Sequence, residues 1–162
     1  MVLVRPGTRV DEVPVVALWR VAAADRRSGQ PVVDTHEERV RAFFRDFNAF
    51  LVVSDTEQGA LLGAAVGRQA LADDGTGPPV PGLLHISMVL VRPDRWGQGL
   101  GSVLLDTTLD EARLREYERA QLWAHADSAR AHRLCESRKF FRTGRERTDR
   151  DGHPIVQFHR GL

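Results

Sequence analysis

Apolar residues along the chain switch between two spacings, and the switches outline a single folding unit. Val2 to Arg5 reads as a short strand stopped by Pro6-Gly7. Thr8 and Asp11 offer N-cap chemistry for a helix carrying Val15, Val16, Leu18, Trp19 and Ala22, and Pro14 limits how early it starts. Ser28-Gly29-Gln30-Pro31 breaks it. Thr35 and Glu38 stand at capping-box spacing before Val40, Phe43, Phe44 and Phe47, an apolar stripe of helical period. Phe50–Val53 and Ala60–Val66 are strand candidates on either side of a polar turn from Ser54 to Gly59. Residues 71–82, with Asp73-Asp74-Gly75 and Pro78-Pro79-Val80-Pro81-Gly82, read as a loop. Leu83 to Val91 is the longest β-type run and nearly all apolar, the pattern of a central strand covered on both faces. Strict alternation would place His85, Ser87, Val89 and Val91 on one face, with Leu84, Ile86, Met88 and Leu90 on the other. A helix from near Gly101 to Tyr117, a buried strand from Gln121 to Ala126 and a helix from Ser128 to Arg138 follow. Phe140–Thr148 and Ile155–His159 close the chain as a hairpin around Asp149-Arg150-Asp151-Gly152. With no repeat and no linker, residues 1–162 read as one α/β domain.

Composition narrows the function. A chain of 162 residues buries roughly two-thirds of its unfolded surface, enough for one self-sufficient core. With 42% hydrophobic and 28% charged residues, neither disorder nor a membrane protein is favoured. No apolar run approaches the ~20 residues that cross a bilayer, and the N-terminus lacks a signal-peptide pattern, so a cytoplasmic protein with no membrane partner is expected. The net charge of +1 argues against a general nucleic-acid binder. That balance hides an asymmetry: from Arg113 onward there are 12 basic and 7 acidic residues, and 22 of the 23 basic residues are Arg, the exception being Lys139. Cys135 is the one cysteine, which excludes an internal disulfide and any multi-Cys zinc site. His36 stands among Glu37 and Glu38 at a helix start and reads as exposed, so no metal site is expected.

The chemistry concentrates between the central strand and the next helix, in Arg92-Pro93-Asp94-Arg95-Trp96-Gly97-Gln98-Gly99-Leu100-Gly101-Ser102. Glycines at three alternate positions let the backbone turn tightly and approach a ligand closely. The unpaired N–H groups at the helix start converge with the positive end of its dipole, an arrangement matched to phosphate or pyrophosphate. A P-loop needs Gly-Lys-Ser/Thr, and no lysine is present here. A dinucleotide fingerprint counted from Gly97 needs glycine where Ser102 stands.

The segment V-x-P-x-x-W-G-Q-G-L-G-S from Val91 to Ser102 resembles motif A of the GNAT-type N-acetyltransferases, written Q/R-x-x-G-x-G/A. The order of elements resembles the family layout over essentially the whole chain. Ser128 to Phe140 is similar, in degraded form, to the family's N-x-x-A-x-x-L-Y-E-x-x-G-F signature. The resemblance implies a single-domain GNAT fold: a mixed, mostly antiparallel central sheet splayed at its parallel strand pair, with helices on both faces. It implies acetyl-CoA (coenzyme A) as co-substrate, without a metal. Main-chain N–H groups of Trp96, Gly97, Gln98, Gly99, Leu100, Gly101 and Ser102 would hold the pyrophosphate. The edge at Val89, Leu90 and Val91 would pair with the pantetheine arm. Ser128 and Arg133, with Arg130, would stand nearby.

Three departures change that picture. Trp96 replaces the family's Gln/Arg, and its main-chain donor survives the change. Lys139 replaces the glycine before Phe140, which suggests a different helix exit. Cys135 stands where the family has a Tyr that commonly protonates the departing thiolate. It is therefore a candidate acid, with a buried apolar helix stripe as the other reading. His85 is a candidate general base, or else a histidine satisfied by local hydrogen bonds. The first two helices, which in the family shape the acceptor side, carry Trp19, Phe43, Phe44 and Phe47, with Asp25, Asp34 and Asp46 nearby; at helical spacing those aromatics read as core rather than as a substrate box. Asp73 and Asp74 would attract a cationic amine. The resemblance implies an acyl-CoA-dependent N-acetyltransferase acting on a small-molecule or peptide amine, as monomer or homodimer. A non-catalytic acyl-CoA-binding or regulatory module of the same fold is the alternative.

Overall fold

The computed structural model describes residues 3–24, 32–33, 37–56 and 58–162. The predicted break at Ser28–Pro31, the Thr35 capping position, Asp25, Asp34 and His36 lie outside them. In chain order the elements are β1 (Leu3–Pro6), α1 (Glu12–Ala24), β2 (Val32–Val33), α2 (Glu37–Phe43), β3 (Ala49–Asp55) and β4 (Leu61–Leu71). There follow α3 (Ala72–Gly75), β5 (Pro79–Val91), α4 (Leu100–Leu114), β6 (Arg119–His125), α5 (Ala129–Ser137), β7 (Phe141–Thr148) and β8 (Pro154–Gly161). The sheet runs β1-β3-β4-β5-β6-β8-β7, with β2 set on β5. Every pair is antiparallel except β5 with β6.

Two apolar layers sandwich the sheet. On one side Leu104, Leu105 and Leu109 of α4 and Ala131 and Cys135 of α5 pack on Leu84, Ile86, Val89, Leu122 and Phe158. On the other, Val15, Val16 and Leu18 of α1 and Val40 and Phe43 of α2 pack on Val53, Val66, Met88 and Leu90. The approach to α1 is fixed by charge. Arg5 donates to Asp55 at 2.6 Å and to Asp11 at 2.8 Å, and the Thr8 N–H donates to Asp11 at 2.8 Å. Those bonds, Arg5 first, hold the buried Asp11 carboxyl below the usual carboxylate range against the opposing effect of burial.

Four sequence expectations need correction. The loop read at 71–82 is shorter, because β5 begins at Pro79. Its tip, α3, is a left-handed turn rather than a helix, with Asp73 and Asp74 both at φ 53°. Phe47 leaves the predicted apolar stripe, since α2 ends at Phe43 and Phe47 is fully exposed. The strict alternation along β5 fails at Ser87. Val66 pairs with Met88 and Gly67 with Ile86, so Ser87 is an extra residue, a β-bulge. Ile86 and Val89 thus share the α4 face, while Met88 and Leu90 face α1. Lastly, Lys139 does not alter the helix exit. It takes the left-handed conformation itself at φ 65°, and the Phe140 N–H still bonds the Cys135 carbonyl at 3.0 Å.

A side chain in that conformation costs about 1 kcal/mol or more relative to glycine. Lys139→Gly is therefore expected to raise stability, by up to about 1 kcal/mol once glycine's greater freedom in the unfolded chain is offset. An upward shift of the thermal unfolding midpoint checks this, and an unchanged or lower midpoint refutes it.

Candidate active site

The parallel ladder between β5 and β6 is short. It pairs Leu83–Ile86 with Arg119–Leu122 and then stops, and the strands diverge. The edge of β5 beyond Ile86 is thereby released from β6, and β2 takes part of it, Val32 pairing with Val89 and Val33 with Met88. Among the described residues Leu90 and Val91 have no partner strand on that edge.

At the C-terminal end of β5 the glycine turn opens a groove of about 350 Å³. Gly97 and Gly99 both hold φ 79°, a region that side chains rarely enter, and Gly99 starts α4. None of the main-chain N–H groups from Gly97 to Ser102 is donated to a main-chain carbonyl among the described residues. These are the orphan donors of a helix start, at its positive end. A Cβ on Gly99 would meet nothing within 4 Å, so the space outside the turn is open.

Arginines complete this wall. The Trp96 indole N–H donates to the Val91 carbonyl at 2.9 Å, which fixes the ring. The Arg130 guanidinium lies over that ring at 4.7 Å. Burial and then the charge of Arg133 lower the Arg130 pKa. Arg95 and Arg133 line the same groove. An anion placed here would relieve the repulsion between neighbouring guanidinium groups while accepting the free N–H donors.

The other expected residues near this end are placed differently. Gln98 is exposed and outside the groove lining. Ser128 is buried, and its hydroxyl accepts the Ala131 N–H at 3.2 Å as the cap of α5. Cys135 belongs to the core under α4, fully buried, while its neighbours Leu134 and Ser137 face the groove. Burial first, and then Glu136, pushes its thiol up to about 12. Such a thiol stays protonated at neutral pH and is a weak proton donor.

Across the sheet lies a second concavity of about 190 Å³ on the α2 side. His85 forms part of its floor, in register with Arg68 of β4 and Gln121 of β6. The bulge puts it on the face opposite Val89 and Val91, with which the sequence pattern had grouped it. A hydrogen-bonded row reaches it from the sheet edge. The Thr143 hydroxyl donates to Gln157 at 2.9 Å, the Gln157 amide donates to Gln121 at 3.3 Å, and the Gln121 Nε2 meets His85 Nδ1 at 3.4 Å. Burial, followed by the positive charges of Arg68, Arg147 and Arg39, pushes the His85 pKa down to about 3. The imidazole is neutral at physiological pH.

Sequence reading missed the walls of this cleft. Gln121 and Trp123 alternate with Ala120, Leu122 and Ala124, and only the alanines and leucine join the core under α4. That period-two polarity was available in the sequence, whereas the uniform reading as a buried strand passed over it. Arg145 and Arg147 lie over the Trp123 ring at 5.5 and 4.7 Å, a contact made across strands that spacing does not reveal. Three other histidines serve the hairpin end. His125 stacks on His153 at 5.6 Å, both near Asp149, and His132 Nε2 meets the His125 carbonyl at 3.0 Å. Among the described residues no three His, Cys, Asp or Glu side chains cluster as a metal site. No helix among them is long and apolar enough to cross a membrane.

Against known proteins, the profile of the acetyltransferase (GNAT) family matches residues 16–140. The chain belongs to the GNAT acetyltransferase family. No curated protein sequence matches it. Solved GNAT structures share its fold at low identity. The ribosomal-protein-S18-alanine N-acetyltransferase of Escherichia coli superposes with TM-score 0.77 at 19% identity, over 100% of this chain and 94% of that one. The ribosomal-protein-alanine N-acetyltransferase of Brucella melitensis gives 0.79 at 19%, over 99% of each chain. A GCN5-related N-acetyltransferase of Kribbella flavida gives 0.76 at 18%, over 99% and 98%. The splayed mixed sheet expected from the GNAT resemblance is thus the one observed.

The depressed His85 pKa has a measurable consequence. The unfolded imidazole takes up its proton near pH 6.5, the folded one only near 3, so stability is complete above about 6.5 and falls as the pH drops toward 3. His85→Gln should flatten the stability profile in that window. Imidazole resonances of His85 that titrate near 6.5 would refute the assignment.

Proposed function

We propose that this GNAT protein transfers the acetyl group of acetyl-CoA to a primary amine by direct attack in a ternary complex. The observation that carries the reading is the row of undonated N–H groups from Gly97 to Ser102, flanked by Arg130 and Arg133, at the end of a strand whose outer edge leads toward His85. The donors fit a pyrophosphate, and the arginines fit a cofactor carrying several phosphates. The free edge at Leu90 and Val91 fits an amide-bearing arm by strand addition. At Met88 and Val89 the same pairing requires β2 to leave. Val91 to His85 spans roughly 20 Å of strand at about 3.3 Å per residue, so acetyl and acceptor would meet where the strands diverge.

The chemistry then divides among few groups. The acceptor ammonium loses its proton to water before it reacts, since an imidazole pushed down to about 3 is too weak a base to hold it; His85, neutral and in the cleft floor, would accept a hydrogen bond from the amine. The neutral amine attacks the acetyl carbonyl carbon; the C–N bond forms, the C–S bond breaks, and the proton that the nitrogen sheds as the amide forms passes through water to the departing thiolate. We assign no part of that last step to Cys135. Its thiol, at about 12, is a weaker acid than the thiol it would have to regenerate, near ~8.5, and it lies outside the groove. We place the enzyme in the cytoplasm, acting as monomer or homodimer on a small-molecule or peptide amine. The same observation about Cys135 supports a second reading, a non-catalytic acyl-CoA-binding module in which the acid has been lost.

Both readings expect acetyl-CoA binding by calorimetry, weakened about tenfold by Arg130→Ala with Arg133→Ala. Release of free thiol from acetyl-CoA in the presence of amines separates them. Tight binding without release from any amine would leave the module. Cys135→Ala is expected to lower stability by about 1 kcal/mol while leaving kcat unchanged. A large loss of kcat in a folded variant would restore Cys135 to the reaction.

A further inference from the structure

A third concavity, of about 330 Å³, opens between the end of α2, the β1–β3 edge and the C-terminal half of α4. None of the groups assigned to acetyl transfer lines it. Phe43, Phe44 and Phe50 give it aromatic walls. Its rim carries apolar side chains that the fold leaves in water. Leu114 is 80% exposed and follows Thr107 and Glu111 of the lining at helical spacing, so it stands on their face of α4. Phe47 is fully exposed and sits between the lining residues Asp46 and Ala49. The turn that bears it is braced. The Ala49 N–H donates to the Asp46 carbonyl at 3.2 Å, and the Asn48 N–H donates to the Asp46 carboxylate at 2.8 Å. A ring held out on a braced turn loses little freedom when it is buried. One exposed apolar residue is ordinary, but two that flank an aromatic-lined concavity make a patch of the kind that marks an interface.

The charges of this face select what covers it. Arg5 is engaged by Asp11 and Asp55, and Arg115 by Glu111 at 2.9 Å and by the Phe50 ring at 4.7 Å. Arg9 and Asp46 are left over: among the described residues neither has an ion-pair partner. A spare cation, a spare anion, a projecting ring and a ring-lined hollow form a set that complements itself. A two-fold axis through such a face brings each member against its opposite on the other copy. We propose that the protein pairs with a second copy of itself through this face. Phe47 of each protomer enters the aromatic concavity of the other, and Arg9 of each faces Asp46 of the partner subunit. The pairing stands independently of acetyl transfer and makes the homodimer the working state.

Sedimentation velocity and light scattering on the full chain test this. The wild type is expected to dimerise with a dissociation constant below about 100 µM. Phe47→Asp should weaken association at least about thirtyfold. It should leave the thermal midpoint of the dilute protein unchanged, since the ring is fully exposed in the single chain. The charge pair has a test of its own. Arg9→Asp alone and Asp46→Arg alone each set like charges against one another and should each weaken association; both residues are at least partly exposed, so the fold tolerates the changes. Mixing the two variants should restore association, because every contact then joins opposite signs. A wild-type chain that stays monomeric at about 100 µM overturns the inference and leaves the face to a partner of another sequence. A dimer that Phe47→Asp leaves intact overturns it, as do charge variants that associate no better mixed than apart.

Discussion

The site depends on a parallel ladder that ends early. β5 and β6 hold together from Leu83 to Ile86 and then separate, and the bulge at Ser87 shifts the side chains of β5 by one position where the ladder ends. A backbone edge is thereby released inside the sheet, where every N–H and C=O ordinarily has a partner. Val91 faces α4 and the glycine turn, while His85 faces α2 and the arginine-lined cleft. One strand thus serves two concavities on opposite faces of the sheet, and no other described element lines both.

Guanidinium–indole stacking recurs at both concavities. Trp96 carries Arg130 at the groove, and Trp123 carries Arg145 and Arg147 at the cleft. A lysine could supply charge at these positions but not a plane to stack, which gives the near-absence of lysine from this chain a structural use. Elsewhere the arginines are mostly spent on surface pairs such as Arg20–Glu37, Arg113–Asp110 and Arg115–Glu111. Such pairs contribute little to stability each.

The sequence made some of this legible and hid the rest for identifiable reasons. The glycine turn announces itself because its chemistry is contiguous, from Trp96 to Ser102. Core stripes on α1 and α4 follow their period. The bulge at Ser87 does not show, because His85 and Ser87 are the only polar residues from Leu83 to Val91 and their spacing of two reads as unbroken alternation. Lys139 misled because substitution of a glycine suggests a new backbone path, whereas the surrounding hydrogen bonds impose the old one. Phe47 matched the helical stripe but lies beyond the end of α2. The arginine cleft draws on α2, β4 and β7, separated by dozens of residues, and only the topology assembles it.

The position of β2 gives the molecule a thermodynamic property beyond its shape. Its two residues belong to the connection between α1 and α2, yet they pair with Met88 and Val89 on the edge of β5 that β6 has released. Any ligand that favours β2 detached works against its pairing free energy, and any ligand that favours β2 seated gains it. Reciprocity then requires that the first ligand alter the affinity for the second by the same factor as the second alters the first. A pair of backbone hydrogen-bonded residues thus couples whatever binds along the released edge of β5 to whatever binds against α1 and α2.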